Sequence, residues 1–131
     1  MAADNVEIFK RLAHAISWGD EQSVVELTTD DVEVSARRSA TEGIYRGHDG
    51  LRAYLADNRE SFEFFRYTLD EVRDLGDGRV VGVGTIRIRG KGSGAETDVP
   101  SAGIATFRNG KATSWKEYGD RETASKAAGL D

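Results

Sequence analysis

The chain has 131 residues, no cysteine, and 18 Lys and Arg against 23 Asp and Glu, for a formal charge of −5. That length predicts a single domain over residues 1–131, large enough to bury a core without staples. Without cysteine there is neither a disulfide framework nor a thiolate metal site, and an acidic balance with scattered basic pairs argues against a nucleic-acid partner. The N-terminal Met1–Glu7 stretch has no basic region followed by an apolar run, so a secretory signal is not expected. No segment approaches the roughly 20 apolar residues of a membrane span. The expectation is a soluble cytoplasmic protein with no membrane partner.

Residues 4–18 read as a helix, with Val6, Phe9, Leu12, Ala13 and Ile16 at helical spacing, Asp4 or Asn5 as the cap and Gly19 as terminator. Asp20 caps a second short helix over about 21–28. Thr29-Asp30-Asp31 reads as a turn, and Val32–Ala36 alternates as a strand. Arg37–Glu42 is polar and reads as a loop, followed by a short strand over Gly43–Gly47. A third helix is expected over about 49–60, with Leu51, Tyr54 and Leu55 on its buried stripe. Phe62, Phe64, Tyr67, Leu69 and Val72 mark the next strand. Asp74–Gly78 turns into a three-strand meander, Arg79–Arg89, Thr97–Phe107 and Ala112–Tyr118, with turns at Gly90–Gly94 and Arg108-Asn109-Gly110. Residues 120–128 read as a last helical turn. Helices followed by a run of strands indicate an α+β fold, an antiparallel sheet bent around the long first helix. The glycines at 82, 84 and 103 suit bending or close approach by another backbone.

Several stretches, in order, resemble the SnoaL-like members of the nuclear transport factor 2-like (ketosteroid isomerase-like, cystatin-like) superfamily. They are Trp18-Gly19-Asp20, Asp30-Asp31-Val32-Glu33, Tyr45–Leu51, Arg89–Gly94, Phe107–Lys111 and Tyr118–Arg121. The resemblance covers about residues 4–125 and implies a cone-shaped α+β barrel with a pocket. The superfamily includes isomerases, polyketide cyclases, dehydratases, epoxide hydrolases and plain binding or dimerising domains, so the fold does not choose among them. In ketosteroid isomerase-like members the general base falls near Ala36 here, the oxyanion-stabilising acid near Gly103 and the first-helix tyrosine near Leu12. A SnoaL-type catalytic Asp also falls at Gly103. None of these residues transfers a proton or donates a side-chain hydrogen bond. Epoxide hydrolase-like members use an Arg-x-Asp pair where this chain has Arg87-Ile88-Arg89, which keeps an Arg without the Asp. Glu117 stands at their second carboxylate.

Which residues face the pocket depends on hairpin register. A two-residue type I′ loop at Asn109-Gly110 pairs Arg108 with Lys111 and puts Trp115 on the face of Ile104. A three-residue loop pairs Phe107 with Lys111 and puts Trp115 beside Gly103, and the resemblance favours this second register. Ser101, Gly103, Ala105, Phe107, Thr113, Trp115 and Glu117 then face inward, joined by Val81, Val83, Thr85, Arg87 and Arg89. Ligand contacts are expected from Trp18, Tyr45, Phe65, Val83, Thr85, Arg87, Ser101, Phe107 and Trp115, an apolar lining with few polar groups. Glu117 is the candidate catalytic acid or base. Its plainer role is a salt bridge with Arg87, which would orient the guanidinium toward an acidic or carbonyl-bearing ligand. Arg87 and Arg89 also read as solvated strand residues, and both tryptophans as core or wall. His14 reads as a surface residue and His48 as a helix-start residue. Two distant histidines with no cysteine give no metal site, and no cofactor is expected. Gly90–Gly94 is a hairpin turn, since no helix follows it as a phosphate loop requires.

Three functions remain open on the sequence. The first is a protein binding a small hydrophobic or weakly anionic molecule. The second is a cyclase-, dehydratase- or epoxide hydrolase-like enzyme using Glu117, and the third a dimerising module with a filled core. A homodimer is expected through the outer sheet face, where Val80, Gly82, Gly84, Ile86, Ile88, Ala102, Ile104 and Thr106 form an apolar patch.

Overall fold

The structure, a computed structural model, describes residues 4–36 and 44–129. The expected loop Arg37–Glu42 and the first residue of the expected strand, Gly43, lie outside the described residues. Helix α1, Asn5–Trp18, starts where the Asp4 carboxylate accepts from the Val6 amide at 3.0 Å and stops at Gly19, whose φ of 66° breaks the helical path. Its buried stripe is Ile8, Phe9, Leu12, Ala13 and Ile16. Helix α2, Glu21–Glu26, is capped by Asp20. Strands β1 (Thr28–Ser35) and β2 (Tyr45–Arg46) precede helix α3, Gly47–Ser61. Strands β3 (Phe62–Asp74), β4 (Arg79–Gly90), β5 (Glu96–Arg108) and β6 (Lys111–Tyr118) follow, then helix α4, Arg121–Ala128.

The six strands form one sheet in the order β2-β1-β6-β5-β4-β3, giving the expected α+β cone as a curved, unclosed sheet. One pair departs from the antiparallel rule. β1 runs parallel to β6, with Val34 opposite Trp115, so the sheet is mixed. The residues read as a turn, Thr29–Asp31, belong to β1, where the register against β6 shifts between Thr28 and Glu33.

The first helix packs on one face of this sheet. Phe9 is buried where Gly82 and Gly103 stand opposite each other on β4 and β5. A Cβ at Gly82 would overlap the Phe9 ring, whereas a Cβ at Gly103 would lie 3.9 Å from Phe9 Cζ, an ordinary contact. The missing side chain at Gly82 is therefore what lets α1 approach the sheet.

This contact fixes the phase of β4, which is opposite to the one expected. Val80, Gly82 and Gly84 face α1, and Val81 and Val83 face out with Ala102 and Ile104. The outer set packs beneath α4, against Ala124 and Ala128. The patch expected to drive a homodimer thus mixes residues of both faces, and its outer apolar part is covered by α4 of the same chain. Along that face β4 continues into Arg87, bonded to Asp98 at 3.1 Å and 3.5 Å from Glu96.

The β5–β6 connection also differs from expectation while delivering the expected face. Asn109 and Gly110 both have positive φ, 53° and 79°, and Arg108 pairs with Lys111, the two-residue type I′ geometry. One strand residue further in, a bulge intervenes: Phe107 pairs with Ala112 but Thr106 pairs with Ser114. The extra residue restores the other phase. Trp115 stands opposite Ala105 and Glu117 opposite Gly103, both on the helix-facing side. Ala112, not Thr113, is the core residue at the bulge.

Gly82→Ala is expected to lower unfolding stability by about 1–3 kcal/mol, the usual cost of overpacking, and Gly103→Ala by much less. Urea denaturation of both variants checks this, and equal losses would contradict the placement of Phe9.

Candidate active site and ligand recess

Three elements bring their polar tips to one point on the helix-facing side. β6 supplies Glu117, α3 supplies Tyr54 from its buried stripe, and β3 supplies Tyr67. Tyr54 Oη donates to Glu117 Oε2 at 2.8 Å, and Tyr67 Oη donates to the same oxygen. Trp115 Nε1 lies 3.4 Å from Tyr67 Oη and donates to it. Tyr67 is tied to α1 through its backbone amide, which donates to Ser17 Oγ at 2.9 Å. Phe9 and Trp115 pack with ring centroids 4.7 Å apart and wall the group. Burial first, and the adjacent Glu117 charge second, push the Tyr54 and Tyr67 phenols well above the ordinary tyrosine range. Both therefore keep their protons near neutrality, which makes them the donors and the carboxylate the acceptor.

The other carboxylate oxygen is differently placed. Glu117 Oε1 makes no hydrogen bond among the described residues, and it is not among the fully enclosed polar atoms without a partner. Nor does any Lys, Arg or His among the described residues form an ion pair with Glu117. It borders a recess lined by Phe9, Tyr67, Leu69, Gly82, Gly84, Thr85, Ser101, Gly103 and Trp115. The recess is small, with a cavity volume of about 10 Å³. A cavity of that volume has room for a group about the size of one water.

The residues expected to touch a ligand fall into separate places. Ser101, Trp115 and Glu117 come together in this recess, and Thr85, which shares the outward phase of Val83 and Arg87, borders it. Tyr45 stands behind it, its ring 5.4 Å from that of Tyr54 and its hydroxyl donating to Asp57 at 2.6 Å. Trp18 and Phe65 line another groove, at the C-terminal end of α1. Phe107 is in the core near the β5–β6 turn. Val83 and Arg87 are on the outer face, so the expected Arg87–Glu117 pair does not form. Tyr54 and Tyr67 were legible as core positions but not as site residues. The available signal was that a buried tyrosine needs a partner for its hydroxyl where Phe or Leu would not.

A carboxylate thus lies on the helix-facing side, on a neighbouring strand from the one the resemblance implies. The resemblance puts an acid on β5 where Gly103 stands, and here the carboxylate comes from β6, directly across the ladder from Gly103. The SnoaL-like domain matches residues 9–115. The chain belongs to the SnoaL-like family. No curated protein matches this SnoaL-like chain by sequence. Among solved structures it is similar to a nuclear transport factor 2-like protein of unknown function from Burkholderia pseudomallei K96243, with TM-score 0.78 and 20% identity over 95% of this chain and 96% of that one. It is similar to TerC co-crystallised with polyporic acid, with TM-score 0.76 and 23% identity over 93% and 95%. It is also similar to a protein of ketosteroid isomerase-like fold from Catenulispora acidiphila DSM 44928 in complex with trimethylamine, with TM-score 0.76 and 20% identity over 95% and 94%. These likenesses establish the fold. Among the described residues no helix is long and apolar enough to cross a membrane.

The raised phenols carry a stability prediction. A tyrosine whose folded value lies above its unfolded value, about 10, contributes fully below that pH. Its contribution falls as pH rises further, because the unfolded chain releases the proton first. The loss is about 1.4 kcal/mol per pH unit for each such tyrosine. Alkaline urea titrations should show the native protein losing stability relative to the Tyr54→Phe/Tyr67→Phe double variant from about pH 10 upward. A constant difference would contradict the buried pair.

Proposed function

We propose that this SnoaL-like protein binds a small, largely apolar molecule that places one hydrogen-bond donor on Glu117 Oε1. The observation that carries the proposal is the division of labour between the two carboxylate oxygens. Oε2 is fixed by Tyr54 and Tyr67, Oε1 has no hydrogen bond among the described residues, and Glu117 lines the recess. The aromatic wall of Phe9, Tyr67 and Trp115 supplies apolar contact, and an amine or hydroxyl supplies the donor. With Arg87 on the outer face, no Lys, Arg or His among the described residues lines the recess. The trimethylamine and polyporic acid complexes of two structural neighbours support small-molecule binding as the use of the fold.

The same free oxygen favours a second reading, in which Glu117 is the general base of a cyclase-, dehydratase- or epoxide hydrolase-like enzyme. Oε1 then takes the substrate proton while the two phenols hold the carboxylate in place. Glu117→Gln separates the readings. It keeps an acceptor for the tyrosines and turns the free position into a donor. Ligand-observed NMR with cyclohexylamine and cyclohexanol is expected to show binding to the native protein and a loss of roughly tenfold or more in the variant, the usual cost of an unmatched polar contact. A substrate still bound by the variant but no longer converted would mark the enzyme. Failure of both probes on the native protein would leave the filled-core dimerising module.

A further inference from the structure

Outside the recess, a groove of about 210 Å³ lies between the end of α1, the end of α3 and the start of β3. Trp18 is 61% exposed there, an unusual position for so large an apolar side chain. The Arg66 guanidinium sits 3.9 Å above the Trp18 ring and 5.4 Å from the Phe64 ring. One of its nitrogens donates to the Ser17 carbonyl at 3.0 Å, which holds the group in the groove wall and leaves other N–H donors unused. Arg59 lines the same groove from α3. Among the described residues neither Arg59 nor Arg66 pairs with a carboxylate. The one carboxylate in the lining, Glu63, is 3.0 Å from Arg89 and so already matched.

Two guanidiniums without a carboxylate partner, beside exposed aromatic surface, suit an anionic group carried on an aromatic ring. We infer that this groove is a second binding site, taking a planar aromatic carboxylate. Its ring lies against Trp18 and Phe64 and its carboxylate accepts from Arg59 and Arg66. Guanidinium forks suit a planar carboxylate, and stacking on an aromatic ring leaves their edges available for it. The site is separate from the Glu117 recess. Phe65 lines the groove and Tyr67 lines the recess, and their rings meet edge to face at 5.3 Å between the two. It therefore stands or falls independently of the function proposed for Glu117.

The two tryptophans make the test local, because each site holds one of them. Their indole N–H signals are resolved by ¹H–¹⁵N NMR and assigned with Trp18→Phe. Titration with 2-naphthoate is expected to move the Trp18 signal saturably and leave that of Trp115 in place. Arg59→Gln, at an exposed helix position, and Arg66→Gln are each expected to weaken the effect about tenfold or more, as is replacing the probe with neutral 2-naphthalenemethanol. Equal binding of the neutral analogue, indifference to both arginine substitutions, or a shift confined to Trp115 would overturn the assignment.

Discussion

The contact between Phe9 and the bare backbone at Gly82 sets the rest of this molecule. It brings α1 down onto β4 and β5 and turns Gly82, Gly84 and Gly103 toward the helix. The recess is what remains beside the ring. A fully buried phenylalanine contributes about 1.5–3 kcal/mol, and here it does so only because one position on β4 has no side chain. The recess beside the ring is about the size of one water, room for a single functional group. Glu117 and Trp115 enter this space from β6, and Tyr54 and Tyr67 close around them from α3 and β3.

Among the described residues the carboxylate is held without a cation. Its neighbours are two phenols kept protonated by burial and by the carboxylate itself, and Trp115 donates to one of those phenols. A charge satisfied by neutral donors keeps its attraction for an incoming amine or hydroxyl, whereas an arginine partner would have cancelled it. The family's usual acid position on β5 is vacant as Gly103, and a carboxylate one strand away faces the same spot. The resemblance therefore held for the fold, while the acid it implies on β5 is a glycine here.

The element order, the hairpin turns and the covering helix were legible in the sequence because turn residues and helical spacing are local signals. The phase of β4 was not. Val81 to Gly84 alternates valine with glycine, and both faces of that strand are covered, by α1 on one side and α4 on the other. Hydrophobicity then carries no direction, and the glycine side proved to be the inner one because the Phe9 ring needs the room. The last hairpin shows the opposite case. Its turn is the two-residue form, and the bulge at Ala112–Ser114 restores the face that a three-residue loop would have given. Two one-residue offsets cancelled, so the inward placement of Trp115 and Glu117 followed from a different local geometry. The parallel β1–β6 pair and the tyrosine partners of Glu117 depend on contacts between segments far apart in sequence, where no local pattern reports them.

The central claim is that Glu117 is clamped by Tyr54 and Tyr67 beside the Trp115 indole on the helix-facing side. Proton NMR in water tests it most directly. Hydroxyl protons bonded to a carboxylate and shielded from solvent exchange slowly enough to be seen far downfield. The account predicts such a resonance for Tyr67, with a nuclear Overhauser contact to the Trp115 indole N–H. Absence of any protected tyrosine hydroxyl, together with indole contacts to Ile104 on the outer face, would contradict it.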